Sequence, residues 1–134
     1  MTLSTQDALI HIMIVTASSD AAISSDELVR VQGLIGRMPV FAGYDMARFA
    51  SVANACVDAI NAAGIEAALE TAVAAVPERF HDTAYAVAVE VAVVDLNLPQ
   101  EELRLLEMLR DRLAIDRLVT AAIEAAARAR MRTA

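Results

Sequence analysis

The sequence predicts an all-α fold: a single compact domain of about seven helices over residues 1–134, built from two related helix–acidic turn–helix halves. Three observations carry this expectation. Apolar residues recur at three- and four-residue spacing in one segment after another, which is the helical period. The chain is 57% hydrophobic but only 4% aromatic, with no Trp, so aliphatic side chains supply the apolar mass and helices can pack closely. A short acidic pattern also occurs twice. Asp20-Ala21-Ala22-Ile23-Ser24-Ser25-Asp26-Glu27-Leu28 is echoed by Asp95-Leu96-Asn97-Leu98-Pro99-Gln100-Glu101-Glu102-Leu103, at a constant offset of 75 residues. Extending the offset pairs Ala17 with Ala92, Val31 with Leu106, Leu34 with Leu109, Arg37 with Arg112 and Met38 with Leu113. The repeat halves are therefore about 8–38 and 83–113. A chain of this length is the size of one domain and buries a core without staples.

The first helix is expected from about Thr5 to Ser18, with Leu9, Ile12, Met13, Thr16 and Ala17 at helical spacing. Ser19 to Ala22 form a turn. The second helix starts after Ser24, because Ser24-Ser25-Asp26-Glu27 has the order of a capping box. Its buried stripe is Leu28, Val31, Leu34 and Ile35, and Pro39 stops it. A third helix is expected over about Asp45 to Ala62, burying Phe49, Val52, Cys56 and Ile60. Gly64 separates it from a fourth, about Ile65 to Ala75, which ends before Pro77. The fifth, about Phe80 to Val94, buries Ala84, Val87, Val91 and Val94. Its β-branched residues would suit a strand, but its length and helical neighbours favour a helix. Pro99 suits the first turn of a sixth helix reaching Leu113. Asp116 caps a seventh, about Arg117 to Arg130. Connections are short throughout, as in a helical domain.

Charge is distributed unevenly. Residues 1–102 carry 4 arginines against 14 acids, net −10, whereas residues 103–134 carry 7 arginines against 4 acids, net +3. An acidic chain lacks the phosphate contacts that drive nucleic-acid affinity, so no nucleic-acid partner is expected. The basic C-terminal end is a solvated helix face or a surface for an acidic protein partner, and a homodimer stays open. The lone Cys56 excludes an intrachain disulfide. No basic segment precedes the first apolar stretch, and no apolar run reaches the roughly 18 residues of a membrane span. The expectation is a cytoplasmic protein that does not enter a membrane.

The doubled acidic turn admits two readings. One is helix-end chemistry, since carboxylates are favoured near helix N-termini. The other is a hard-cation site, since carboxylates suit Ca²⁺, Mg²⁺ or Mn²⁺; a pseudo-twofold relation between the halves would let both turns share an ion. An EF-hand is excluded, because no Asp-x-[Asp/Asn]-x-[Asp/Asn]-Gly loop is present.

These motifs resemble the TerB-like family of tellurite-resistance and stress-associated proteins, related to the N-terminal domain of the membrane co-chaperone DjlA. The family signature is a small-residue helix ending in Ala-x-x-Asp-Gly-x-[Ile/Leu]-x-x-x-Glu. Here Ala17 to Glu27 and Ala92 to Glu102 match it, and the resemblance covers residues 8–115. It implies an all-helical, non-enzymatic protein whose proposed metal ligands fall on Asp20, Glu27, Asp95 and Glu102, with a divalent cation as cofactor. The chain departs from the pattern where the family has Gly after Asp: Ala21 stands in one copy and Leu96 in the other. A turn needing positive φ there would be strained, although Asn97 tolerates that conformation in the second copy.

The remaining chemical candidates are isolated. His11 and His81 lack a second His or a Cys at ligand spacing and are expected at a helix surface or half-buried rather than as a ligand or base. Cys56 is expected to be a buried, inert thiol. Glu90 interrupts the fifth helix as a solvated edge or, one turn or so before Asp95, as a carboxylate that ligates or supports the ion site. No Gly-x-Ser-x-Gly elbow, Ser–His–Asp pattern or phosphate-binding Gly loop is present. The sequence thus expects no enzyme. It points to an ion-binding, stress-associated TerB-like module or, alternatively, an ion-free helical adaptor; a metal-dependent hydrolase ranks last.

Overall fold

The fold is all-α in the computed structural model, which describes residues 3–18, 23–92 and 100–134; the side chains of residues 100–102 lie outside that description. Seven α-helices follow in order among the described residues: α1 Thr5–Ala17, α2 Ser25–Arg37, α3 Phe49–Ala63, α4 Ile65–Ala74, α5 His81–Ala92, α6 Gln100–Arg112 and α7 Arg117–Met131. Three short 3₁₀ turns, Pro39–Phe41, Met46–Arg48 and Glu78–Phe80, join them. No strand occurs among the described residues.

The offset seen in the sequence recurs in the helix boundaries. The end of α1 at Ala17 is matched by the end of α5 at Ala92. Likewise α2 at Ser25–Arg37 is matched by α6 at Gln100–Arg112. The paired apolar positions also share a fate: Val31, Leu34, Leu106 and Leu109 are all buried. α1 and α5 pack on one another, α2 reaches across to α5, and α6 reaches across to α1. That exchange of partners is what a pseudo-twofold relation between two helix pairs produces.

α1 is the centre of the domain, packing against α2, α3, α4, α5 and α6. The sequence suggested a stripe on α1, yet every residue from Asp7 to Ala17 is buried. A helix apolar on all sides has no face to give to water and must be covered all round. Its start is fixed by Ser4, whose Oγ accepts from the Asp7 amide at 3.1 Å. Thr16 turns its hydroxyl back onto the Ile12 carbonyl at 2.8 Å, which allows a polar side chain in the core.

Two boundaries differ from expectation. Asp45 does not open α3. Its carboxylate accepts from the Ala47 amide at 3.0 Å and holds Met46–Arg48 as a 3₁₀ turn, so α3 starts at Phe49. Phe80 belongs to the turn Glu78–Phe80 that follows Pro77, and α5 starts at His81. Val94, expected in the core of the fifth helix, lies outside the described residues. The buried stripes otherwise follow the periodicity, except that Leu28 and Ile60 are partly rather than fully buried.

Gly64 joins α3 to α4 with φ 93° and ψ 165°, a region that is essentially glycine-only. A Cβ there would meet no neighbour within 4 Å, so its cost would be conformational rather than steric. Gly64→Ala is expected to destabilise the domain by about 1–3 kcal/mol, read as a lower urea midpoint at unchanged slope. At the start of α2 the capping box is complete. The Glu27 amide donates to Ser24 Oγ at 3.1 Å, and the Ser24 amide donates to Glu27 Oε1 at 3.0 Å. Ser24→Ala should cost about 1 kcal/mol with helix content retained in circular dichroism. An unchanged midpoint would show that Ser24 does not carry the cap.

Candidate functional site

Of the four carboxylates that the family resemblance nominates, only Glu27 has a described side chain. Asp20 and Asp95 lie outside the described residues, as does the side chain of Glu102 in the first turn of α6. The same holds for Ala21, Leu96 and Asn97. Glu27 is half-buried, with Oε1 engaged by the Ser24 amide; its second carboxylate oxygen has no hydrogen-bond partner among the described residues. Glu27 therefore acts as a helix cap through one oxygen, its other being unpaired among the described residues, which is compatible with single-oxygen ligation of a hard cation. Among the described residues, no group of three or more His, Cys, Asp or Glu is gathered where it could hold a metal.

The structure gives roles to the other candidates. His11, expected at a helix surface or half-buried, is buried on α1 with 6% of its area exposed. Among the described residues its Nε2 is the only buried side-chain nitrogen or oxygen without a hydrogen-bond partner. Burial lowers its pKa below 6.5, and the opposing pulls of the Asp7 charge and the Val52 backbone do not restore it. His81 works as a clamp between junctions. Its Nδ1 accepts from the Ala114 amide at 2.9 Å, so Nε2 carries the proton and donates to the Val76 carbonyl at 3.1 Å. One ring thereby ties the segment before α5 to the segment between α6 and α7.

Cys56 is the inert buried thiol the sequence suggested. Its Sγ lies 3.7 Å from the His11 carbonyl, and burial pushes its pKa up to about 12. Glu90 supports no described ligand; it forms an ion pair with Arg130 of α7.

Two polar clusters were not read from the sequence. The first ties the segment after α2 to α1. Arg48 Nη2 lies 2.7 Å from Asp7 Oδ2, the Tyr44 hydroxyl donates to Asp7 Oδ1 at 3.4 Å, and the Arg48 guanidinium stacks 5.6 Å from the Tyr44 ring centre. Burial, followed by the Asp7 charge, raises the Tyr44 pKa. The second joins α5, α6 and α7. The hydroxyl of the fully buried Tyr85 donates to Glu124, and Arg110 Nη1 lies 3.1 Å from the same carboxylate oxygen. Burial first, then Glu124, pushes the Tyr85 phenol well above its usual range, so it stays protonated and serves as a donor. Beside it, Arg110, Asp111, Arg117, Thr120 and Glu124 line a cleft of about 520 Å³. A sequence signal existed for this cluster: Tyr85 and Glu124 interrupt alanine-rich stretches of α5 and α7. Their partnership spans 39 residues, however, and no local pattern encodes it.

The lowered pKa of His11 predicts how stability depends on pH. The unfolded chain, with His11 near 6.5, takes up its proton before the folded chain does. Stability is therefore full above about pH 6.5 and falls as pH drops through the lower folded value. His11→Phe should flatten that part of the acid limb when urea midpoints are compared between pH 7.5 and pH 5. An acid limb identical in the variant would show that another group is responsible.

No known family model, curated protein or solved structure matches this chain.

Proposed function

We propose that this chain is a non-enzymatic, TerB-like, stress-associated module whose two acidic turns bind a divalent cation through Asp20, Glu27, Asp95 and Glu102. The observation that carries this reading is the recurrence of the helix–turn–helix unit at 75 residues in helix boundaries and buried positions alike, with α2 and α6 exchanging partners across α1 and α5. Two acidic turns related in this way would bring like charges to corresponding places. Like charges brought together cost free energy unless a cation offsets them. The second oxygen of Glu27, unpaired among the described residues, supports the donor set, and the resemblance adds tellurite resistance as the associated stress.

A second reading, an ion-free helical adaptor, draws on α7. Leu118 is 81% exposed beside the exposed Arg117 and Val119. The same helix belongs to the basic end of the chain, which an acidic protein partner would complement.

Thermal melting with added ions separates the two readings. Binding to the folded chain alone stabilises it by mass action, by about 2.7 kcal/mol at a hundredfold excess over Kd. Millimolar Ca²⁺, Mg²⁺ or Mn²⁺ should therefore raise Tm by several degrees. The double variant Asp20→Asn, Asp95→Asn should lose the rise while its ion-free melting stays the same or improves. Melting curves insensitive to all three ions would discard the cation site, return the four acids to helix-end duty and leave the adaptor reading.

A further inference from the structure

Both ring nitrogens of His81 are committed to backbone groups of other segments. Nδ1 accepts from the Ala114 amide at 2.9 Å, and Nε2 donates to the Val76 carbonyl at 3.1 Å. The Ala114 amide depends on that ring. The amides on either side bond to backbone carbonyls, Leu113 to Leu109 and Ile115 to Leu113, each at 3.1 Å, but Ala114 has no carbonyl partner among the described residues. Only a neutral imidazole satisfies this arrangement, because a protonated ring has two donors and no acceptor. A proton on Nδ1 would face the Ala114 N–H, donor against donor, while the bond to Val76 survived. Imidazole is also the side chain that ordinarily changes charge between pH 5 and 8.

The charged groups around the ring do not replace the lost acceptor. Among the described residues no carboxylate bonds to either nitrogen. Asp82 is taken by the Thr83 amide and Asp116 by the Leu118 amide, both at 2.7 Å. Arg112 is held by Glu66 and Glu70, and Arg110 by Glu124. The others are balanced in sign: Glu78 and Arg79 in the turn before the ring, Asp111 and Arg117 on either side of the junction between α6 and α7.

That junction separates the walls of a cleft. Arg110 and Asp111 before it, and Ile115, Arg117 and Thr120 after it, line the cleft of about 520 Å³. α7 carries the far wall and buries only Thr120 and Ala127, so the position of its leading end leans on the junction.

We propose that His81 is an acid-sensitive latch: neutral, it holds the α6–α7 junction against the start of α5; protonated, it releases the junction and lets the cleft between α6 and α7 widen. The latch is independent of the acidic turns and of any ion they bind.

The test is nuclear magnetic resonance on the full ¹⁵N-labelled chain. At pH 7.5 the hydrogen bond should carry a scalar coupling between the Ala114 nitrogen and Nδ1, and the coupling should vanish once the ring resonances report imidazolium. Protection of the Ala114 amide against exchange should fall about tenfold with it, the worth of one good hydrogen bond. The amide resonances of 113–118 should move together with those of the His81 ring. His81→Asn offers a carbonyl oxygen in place of Nδ1 and takes up no proton, so its junction resonances should hold still from pH 7.5 to pH 5. His81→Ala should resemble, already at pH 7.5, the natural chain in acid. The acid response of His11 acts through the core of α1 and persists in both His81 variants, so it does not mimic these results. If neither variant folds, the coupling and the joint movement of the resonances in the natural chain decide. The proposal is overturned if the coupling is absent at pH 7.5, if it survives protonation of the ring, if the ring stays neutral down to acid unfolding, or if the junction of His81→Asn moves with pH as the natural one does.

Discussion

The burial of α1 on every side is the constraint on which the rest of the structure depends. Leu9, Ile10, Ile12, Met13, Ile14 and Val15 are completely removed from solvent. Each such side chain contributes about 1.5–3 kcal/mol on burial, so this one segment outweighs any exposed ion pair in the molecule, each worth about 0–1 kcal/mol. Covering a cylinder rather than a stripe takes several helices, and five others supply the cover. The polar residues of α1 must then be settled locally or across the fold. Thr16 and Ser18 turn to the helix's own carbonyls, and Asp7 at the rim takes Arg48 and Tyr44. His11 Nε2 has neither solution among the described residues.

α7 is held by different means. Few of its residues are buried, Thr120 and Ala127 among them. Its attachment to α5 and α6 runs through Glu124, which takes both the Tyr85 hydroxyl and Arg110, and through the Arg130–Glu90 pair. The Tyr85 end of this network is buried, so removing Glu124 would leave a phenol unpaired in the core; the other pair is largely a rim feature. On the opposite side, Arg112 spans to Glu66 and Glu70 on α4 at 2.8 and 2.9 Å. Arg112 is the repeat partner of Arg37, so equivalent positions in the two halves have acquired different neighbours. The acidic turns are the places where the repetition is most evident in the sequence. Glu27 closes the cap of α2 with one carboxylate oxygen.

What the sequence by itself determined is the local layer. Helical spacing, Ser24 and Asp116 as caps, Pro39 and Pro77 as stops and Gly64 as a joint locate all seven helices to within a few residues, because each signal acts over a single turn of chain. The 75-residue repeat likewise needed only a comparison of the chain with itself. Tertiary structure alone decided which faces are covered. A periodic stripe on α1 does not reveal that its remaining face is buried too, since that depends on how many neighbours surround it. For the same reason His11 was expected at a helix surface or half-buried and is found in the core. The Tyr85–Glu124 contact, the Arg48–Asp7 pair and the His81 clamp between Val76 and Ala114 join residues from five to more than forty positions apart. No short-range pattern specifies such pairs, because only the packed arrangement of helices brings their atoms together.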